Sequence, residues 1–68
     1  MDEPKSLRVL RSREVTAKSG IPQASRYEMI ARGEFPKPIN LGGPRIGWLE
    51  HEIDAWIAER VRASRGTP

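Results

Sequence analysis

Near the end of the chain, Ile53, Trp56, Ile57 and Val61 recur at i, i+3, i+4 and i+8. That spacing puts four apolar side chains on one stripe and predicts a helix over residues 50 to 62. Acids fill its first turns and arginines its last, the order that the helix dipole favours. Upstream the pattern switches to alternation: Ile39 and Leu41 flank Asn40, and Ile46, Trp48 and Leu49 follow a Gly42-Gly43-Pro44-Arg45 turn. With Pro36 and Pro38 forbidding helix just before it, this stretch predicts a two-stranded hairpin, a wing.

Two shorter helices are marked by their punctuation. Ser12 is a good N-cap, Glu14 places an acid in the first turn, and Gly20 closes the helix. Pro22 then suits a first helical position, because the amide it lacks would have no helical partner there. The second helix should run from Gln23 to Arg32 and stop at Gly33. Two short helices joined through a glycine make a helix-turn-helix, so the predicted fold is mainly α with a small β-hairpin, a winged helix-turn-helix of three helices and a two-stranded wing.

The chain has 68 residues, enough for one domain over residues 7–62 between polar ends, 1–6 and 63–68, that should fray. A domain of this size buries only about 60 % of its unfolded surface. Cysteine is absent and His51 is the only histidine, so neither a disulfide nor a metal is expected to brace it. His51-Glu52-Ile53-Asp54-Ala55 starts like the zinc-protease helix motif but has Ala55 where the second histidine belongs. Gly42-Gly43 leads into Pro44 and a strand rather than a helix N-terminus, so it is no phosphate loop or dinucleotide motif. No catalytic residue and no cofactor is expected. Nor is a membrane span or secretory signal expected, and a cytoplasmic protein is the simplest expectation.

Charge changes the picture more than size does. The net charge is only +3, but residues 5–49 carry nine bases against three acids, whereas residues 50–59 carry four acids and no base. A basic body backed by an acidic helix is the layout of a small polyanion binder that turns one face away. In a helix-turn-helix the N-terminal part of the second helix lies nearest the base edges of the major groove. Its polar residues Gln23, Ser25, Arg26 and Tyr27 are therefore the candidates for reading bases or gripping phosphate. The glycine-rich wing tip lets backbone approach DNA closely, which singles out Gly43 and Arg45. Arg13 and Lys37 are further phosphate candidates, while Trp48 and Trp56 sit at apolar spacing and belong to the core. A reading of a different class is a protein-interaction module that docks on an integrase or response regulator through the acidic helix around Glu52 and Trp56.

The motifs also carry a resemblance. Leu10-Arg11-Ser12-Arg13-Glu14-Val15, Ser19-Gly20-Ile21, Ser25-Arg26-Tyr27, Gly33-Glu34-Phe35-Pro36-Lys37-Pro38, Leu41-Gly42-Gly43 and Gly47-Trp48 followed by Glu52-Ile53-Asp54-Ala55-Trp56-Ile57 occur in that order. Over residues about 7 to 60 the chain resembles the AlpA family of small phage and mobile-element regulators, whose winged helix-turn-helix is of the MerR/excisionase-like kind. The resemblance implies binding to double-stranded DNA, at an operator or at attachment-site repeats, as a transcriptional regulator or an excisionase-type recombination directionality factor. It also implies tandem self-association on DNA and an integrase or recombinase as partner. The family usually has a serine cap and a base where this chain has Pro22 and Gln23, and an apolar residue where Arg26 stands.

Overall fold

Six elements follow one another in the computed structural model, which describes residues 7–66: β1 (Val9–Leu10), α1 (Ser12–Ser19), α2 (Gln23–Ala31), β2 (Ile39–Gly42), β3 (Arg45–Leu49) and α3 (Glu50–Arg65). The three helices and the wing are those that the sequence predicts. Residues 1–6, expected to fray, and 67–68 lie outside the described residues.

The turn between α1 and α2 is built from local hydrogen bonds. Gly20 adopts the left-handed conformation and its amide donates to the Thr16 carbonyl at 2.8 Å. The Ser19 hydroxyl donates to the Val15 carbonyl at 2.7 Å and accepts from the Ile21 amide at 3.2 Å, which fixes the exit of the chain. At the end of α2, the Glu34 amide donates to Met29 and the Gly33 amide to Ile30, a Schellman closure that leaves the last carbonyls satisfied.

Element ends differ from the sequence reading by a residue or by a turn. The N-cap of α1 is Arg11, not Ser12, and the Glu14 carboxylate accepts from the Arg11 amide at 2.8 Å. Ser12 is the first helical residue, and its hydroxyl is taken by a partner described below. Pro22 is the N-cap of α2 rather than its first residue. α3 continues to Arg65, so residues 63–65 extend the helix rather than start a tail.

The hairpin is part of a larger sheet. Strand order is β1-β3-β2, all antiparallel, with Val9 opposite Leu49, Leu10 opposite Trp48 and Ile39 opposite Gly47. β1 was not expected, and Gly47 is what lets it close in: a Cβ there would lie 2.4 Å from Val9 Cγ1 and 3.1 Å from the Leu10 carbonyl. The Arg8 carbonyl, just before β1, then accepts from the first amide of α3, Glu50, at 2.8 Å.

Leu10, Val15, Phe35, Trp48 and Ile53 form the buried core, with Ile21, Met29, Ile30, Ile46, Trp56 and Ile57 packed around it. Both indoles pin the segment after α2: Trp48 Nε1 donates to the Pro36 carbonyl at 3.0 Å and Trp56 Nε1 to the Glu34 carbonyl at 2.9 Å. Phe35 between them meets Trp56 edge-on, with ring centroids 4.8 Å apart. Among the described residues one charged side chain is wholly buried as well, that of Arg26.

Candidate nucleic-acid interface

α1, α2 and the wing tip enclose an open groove of about 700 Å³, lined by Arg11, Ser12, Arg13 and Glu14, by Gln23 and Tyr27, and by Pro44 and Ile46. Each wall follows from local structure. Arg11 to Glu14 are the cap and first turn of α1. Gln23 and Tyr27 stand one helical turn apart and share a flank of α2, as i and i+4 residues must. Pro44 belongs to the two-residue tip of the hairpin, where Gly43 has φ +58° while Pro44 is confined to negative φ. That sign pattern matches the type II′ turn, which follows the twist of paired strands. Asn40 Oδ1 accepts from the Gly42 amide at 2.7 Å and steadies the irregular step before the tip.

The structure thus brings together three of the candidates from the sequence, Arg13, Gln23 and Tyr27, all exposed, with Gly43 and Arg45 on either side of Pro44 at the groove's edge. Ser25 is exposed but does not line the groove, since it stands two residues from both Gln23 and Tyr27 on α2. Lys37 is exposed on the segment that the indoles hold, also apart from the groove. The sequence reading missed Arg11, Ser12 and Pro44 as wall residues. Arg11 was legible as a base directly before a helix start.

Arg26, expected among the base- or phosphate-contacting residues, does not belong to the exposed face of α2. Its side chain is fully buried. Nη1 donates to Thr16 Oγ1 at 2.6 Å and to the Ile21 carbonyl at 3.1 Å, Nη2 donates to Ser12 Oγ, and the guanidinium lies 5.0 Å from the centre of the Trp48 ring. The reason is register: Arg26, Met29 and Ile30 form the inward stripe of α2, at i, i+3 and i+4. Burial pushes the Arg26 pKa down, with Tyr27 acting in the opposite sense.

The remaining charges divide by position. Lys18 on α1 bonds Glu50 at 3.0 Å and Asp54 at 2.8 Å on α3, a surface network that engages two of the four acids of that helix and ties it to α1. Arg32 pairs with Glu34 and Arg62 with Glu59. Among the described residues, Arg11, Arg13 and Arg45 form no ion pair, and all three lie in or beside the groove. Arg8, Lys37, Arg60 and Arg65 likewise form no ion pair among the described residues and stand away from the groove, whose own wall also carries Glu14. Among the described residues no helix is long and apolar enough to cross a membrane.

Known proteins resemble the chain over the same span. The family model described as Prophage CP4-57 regulatory protein (AlpA) matches residues 8–61. The chain is 43 % identical over 54 residues to an uncharacterized protein, ORF88, of Enterobacteria phage P4, a match covering 79 % of this chain and 61 % of the phage protein. It is 32 % identical over 68 positions to the DNA-binding transcriptional activator AlpA of Escherichia coli strain K12, covering 91 % of this chain and 97 % of that protein. No solved structure matches the chain significantly. A match over 54 residues that takes in α1, α2, the wing and most of α3 places the chain in the AlpA family of prophage regulatory proteins.

Proposed function

We propose that this protein is a sequence-specific, double-stranded DNA-binding regulator of a prophage or related mobile element. α2 enters the major groove with Gln23 and Tyr27 at its leading end, Gln23 pairing with a base edge and the Tyr27 hydroxyl donating to a phosphate. Ser25 contacts the opposite side of the same groove. Arg11 and Arg13 grip the backbone along one strand, and the wing brings Gly43 and Arg45 to the neighbouring backbone or minor groove, with Lys37 an outlying phosphate contact. The observation that supports this reading is the groove itself: Arg11 and Arg13, the amide side chain of Gln23, the Tyr27 phenol and Pro44 of the wing tip line one open face.

On DNA the protein serves as a transcriptional activator, as the Escherichia coli relative is named, or as an excisionase-type factor at attachment-site repeats. A single small module buries only on the order of 600–1,000 Å² on DNA, so copies side by side or an integrase partner would supply the remaining affinity. The docking reading through α3 around Glu52 and Trp56 is the weaker one, because Trp56 is half-buried, bonded to the Glu34 carbonyl and packed on Phe35, which leaves Glu52 alone as an exposed contact.

Equilibrium binding to duplex DNA at two salt concentrations tests the proposal. About four phosphate contacts lower affinity roughly 100-fold between about 50 and 200 mM salt. Gln23→Ala, Tyr27→Ala and Arg45→Ala should each weaken binding. Unchanged binding in all three would contradict the assigned surface, and no duplex binding at low salt would contradict the function.

A further inference from the structure

Arg26 is a buried cation without a buried anion. Its partners are two hydroxyls, one carbonyl and an aromatic face, and its Nε has no hydrogen-bond partner. Among the described residues no carboxylate pairs with it. An isolated charge is costly to bury, and a neutral set of partners offsets only part of that cost. Of those partners, only Ser12 lines the groove. There its oxygen accepts from Nη2, which leaves the Ser12 O–H as a donor that a charged neighbour polarises. Arg11 and Arg13 flank it, while the Glu14 carboxylate on the same wall is held by the Arg11 amide.

We infer that Ser12 is a phosphate-binding residue, donating its hydroxyl proton to a non-bridging phosphate oxygen, and that Arg26 is its positioning residue, acting from inside the fold. The inference rests on the DNA-binding reading and adds to it. Arg26 then does two things at once: it ties α1 to the turn through Thr16 and Ile21, and it projects its charge to the surface through one hydroxyl. The missing counter-charge is supplied by the nucleic acid backbone. Glu14 sets a threshold on the same wall, repelling an anion that the arginines and Ser12 do not jointly hold.

The test uses the full chain and a labelled duplex. Ser12→Ala should weaken binding about tenfold, the size of one charge-assisted hydrogen bond, with the salt slope unchanged because a hydroxyl releases no counterion, and with a lower thermal midpoint of the free protein because Arg26 Nη2 loses its acceptor; binding is therefore read well below that midpoint. Ser12→Thr, which keeps the hydroxyl, should restore both affinity and thermal midpoint. Arg26→Leu should weaken binding to a similar extent, and Ser12→Ala added to Arg26→Leu should then cost less than about twofold, because a coupled pair is not additive. If Ser12→Ala binds as the parent does, or if the two losses simply add, the inference is overturned while DNA binding stands. If Arg26→Leu does not fold, the alanine and threonine variants of Ser12 decide the matter by themselves. A parent that binds no duplex at low salt overturns the functional reading and this inference together.

Discussion

The Arg26 guanidinium lies 5.0 Å from the centre of the Trp48 ring, so a charged side chain of α2 packs on the central aromatic of the core. Trp48 is itself fully buried, in the middle strand of the sheet. α2 and the strand that carries one side of the wing meet at this contact, beside the packing of Met29 and Ile30 on the same core.

That contact makes stability at position 26 depend on shape more than on charge. Arg26→Leu fills much of the volume and removes an unpaired charge, so it should change stability by less than about 1.5 kcal/mol. Arg26→Ala leaves a cavity against Trp48 and should cost about 2–4 kcal/mol, most of what a domain of this size has. Urea denaturation of the two variants checks this; equal losses would show that the hydrogen bonds to Ser12, Thr16 and Ile21 dominate instead.

Gly47→Ala should destabilise by about 1–3 kcal/mol, since its new methyl meets Val9 Cγ1 at 2.4 Å and Leu41 Cδ1 at 3.1 Å. The damage should localise to β1, seen as faster hydrogen exchange at Leu10 and Leu49. A neutral substitution would mean that β1 yields at little cost.

The α2-to-β2 segment should loosen in Trp56→Phe, which keeps an aromatic ring beside Phe35 and loses the bond to the Glu34 carbonyl. One such bond is worth about 0.5–1.5 kcal/mol net, and a 1 kcal/mol loss lowers the midpoint by roughly 4–8 °C in a domain of this size. Calorimetry reads it directly, and an unchanged midpoint would remove that indole from the account of the segment.

Much of this was legible in the chain and some was not, for physical reasons. Gly20, Gly33, Pro36, Pro38 and the stripe of Ile53, Trp56 and Ile57 act locally, through φ or through periodicity, and so they announce themselves, whereas Val61 on the same spacing stays exposed because the core ends before it. β1 has two residues and no alternation of its own; it exists because Gly47, far along the chain, makes room for it. Arg26 was read as a surface base because of its charge, although its spacing to Met29 and Ile30 already carried the inward signal. Lys18 finds Glu50 and Asp54 only once α1 and α3 are packed, so no window of sequence contains that link.

Lys18 also has a pH signature. Its hydrogen bonds to Asp54, then Glu50, raise its pKa above 10.5. A pKa raised by folding contributes stability that is complete below the unfolded value and is lost as pH climbs through the folded one. Lys18→Met should therefore be less stable than the parent at neutral pH, and the gap should close at a pH above the raised folded pKa. Urea midpoints at the two pH values check it, and a gap independent of pH would assign the effect to the lysine stem.

The most direct test of the DNA-facing surface is an amide chemical-shift titration of the isotope-labelled chain with a short duplex. The account predicts that shifts gather at Arg11 to Arg13, Gln23 to Tyr27 and Gly43 to Arg45, with His51 to Ala58 of α3 nearly silent. Shifts centred on α3 with α2 unmoved would contradict it.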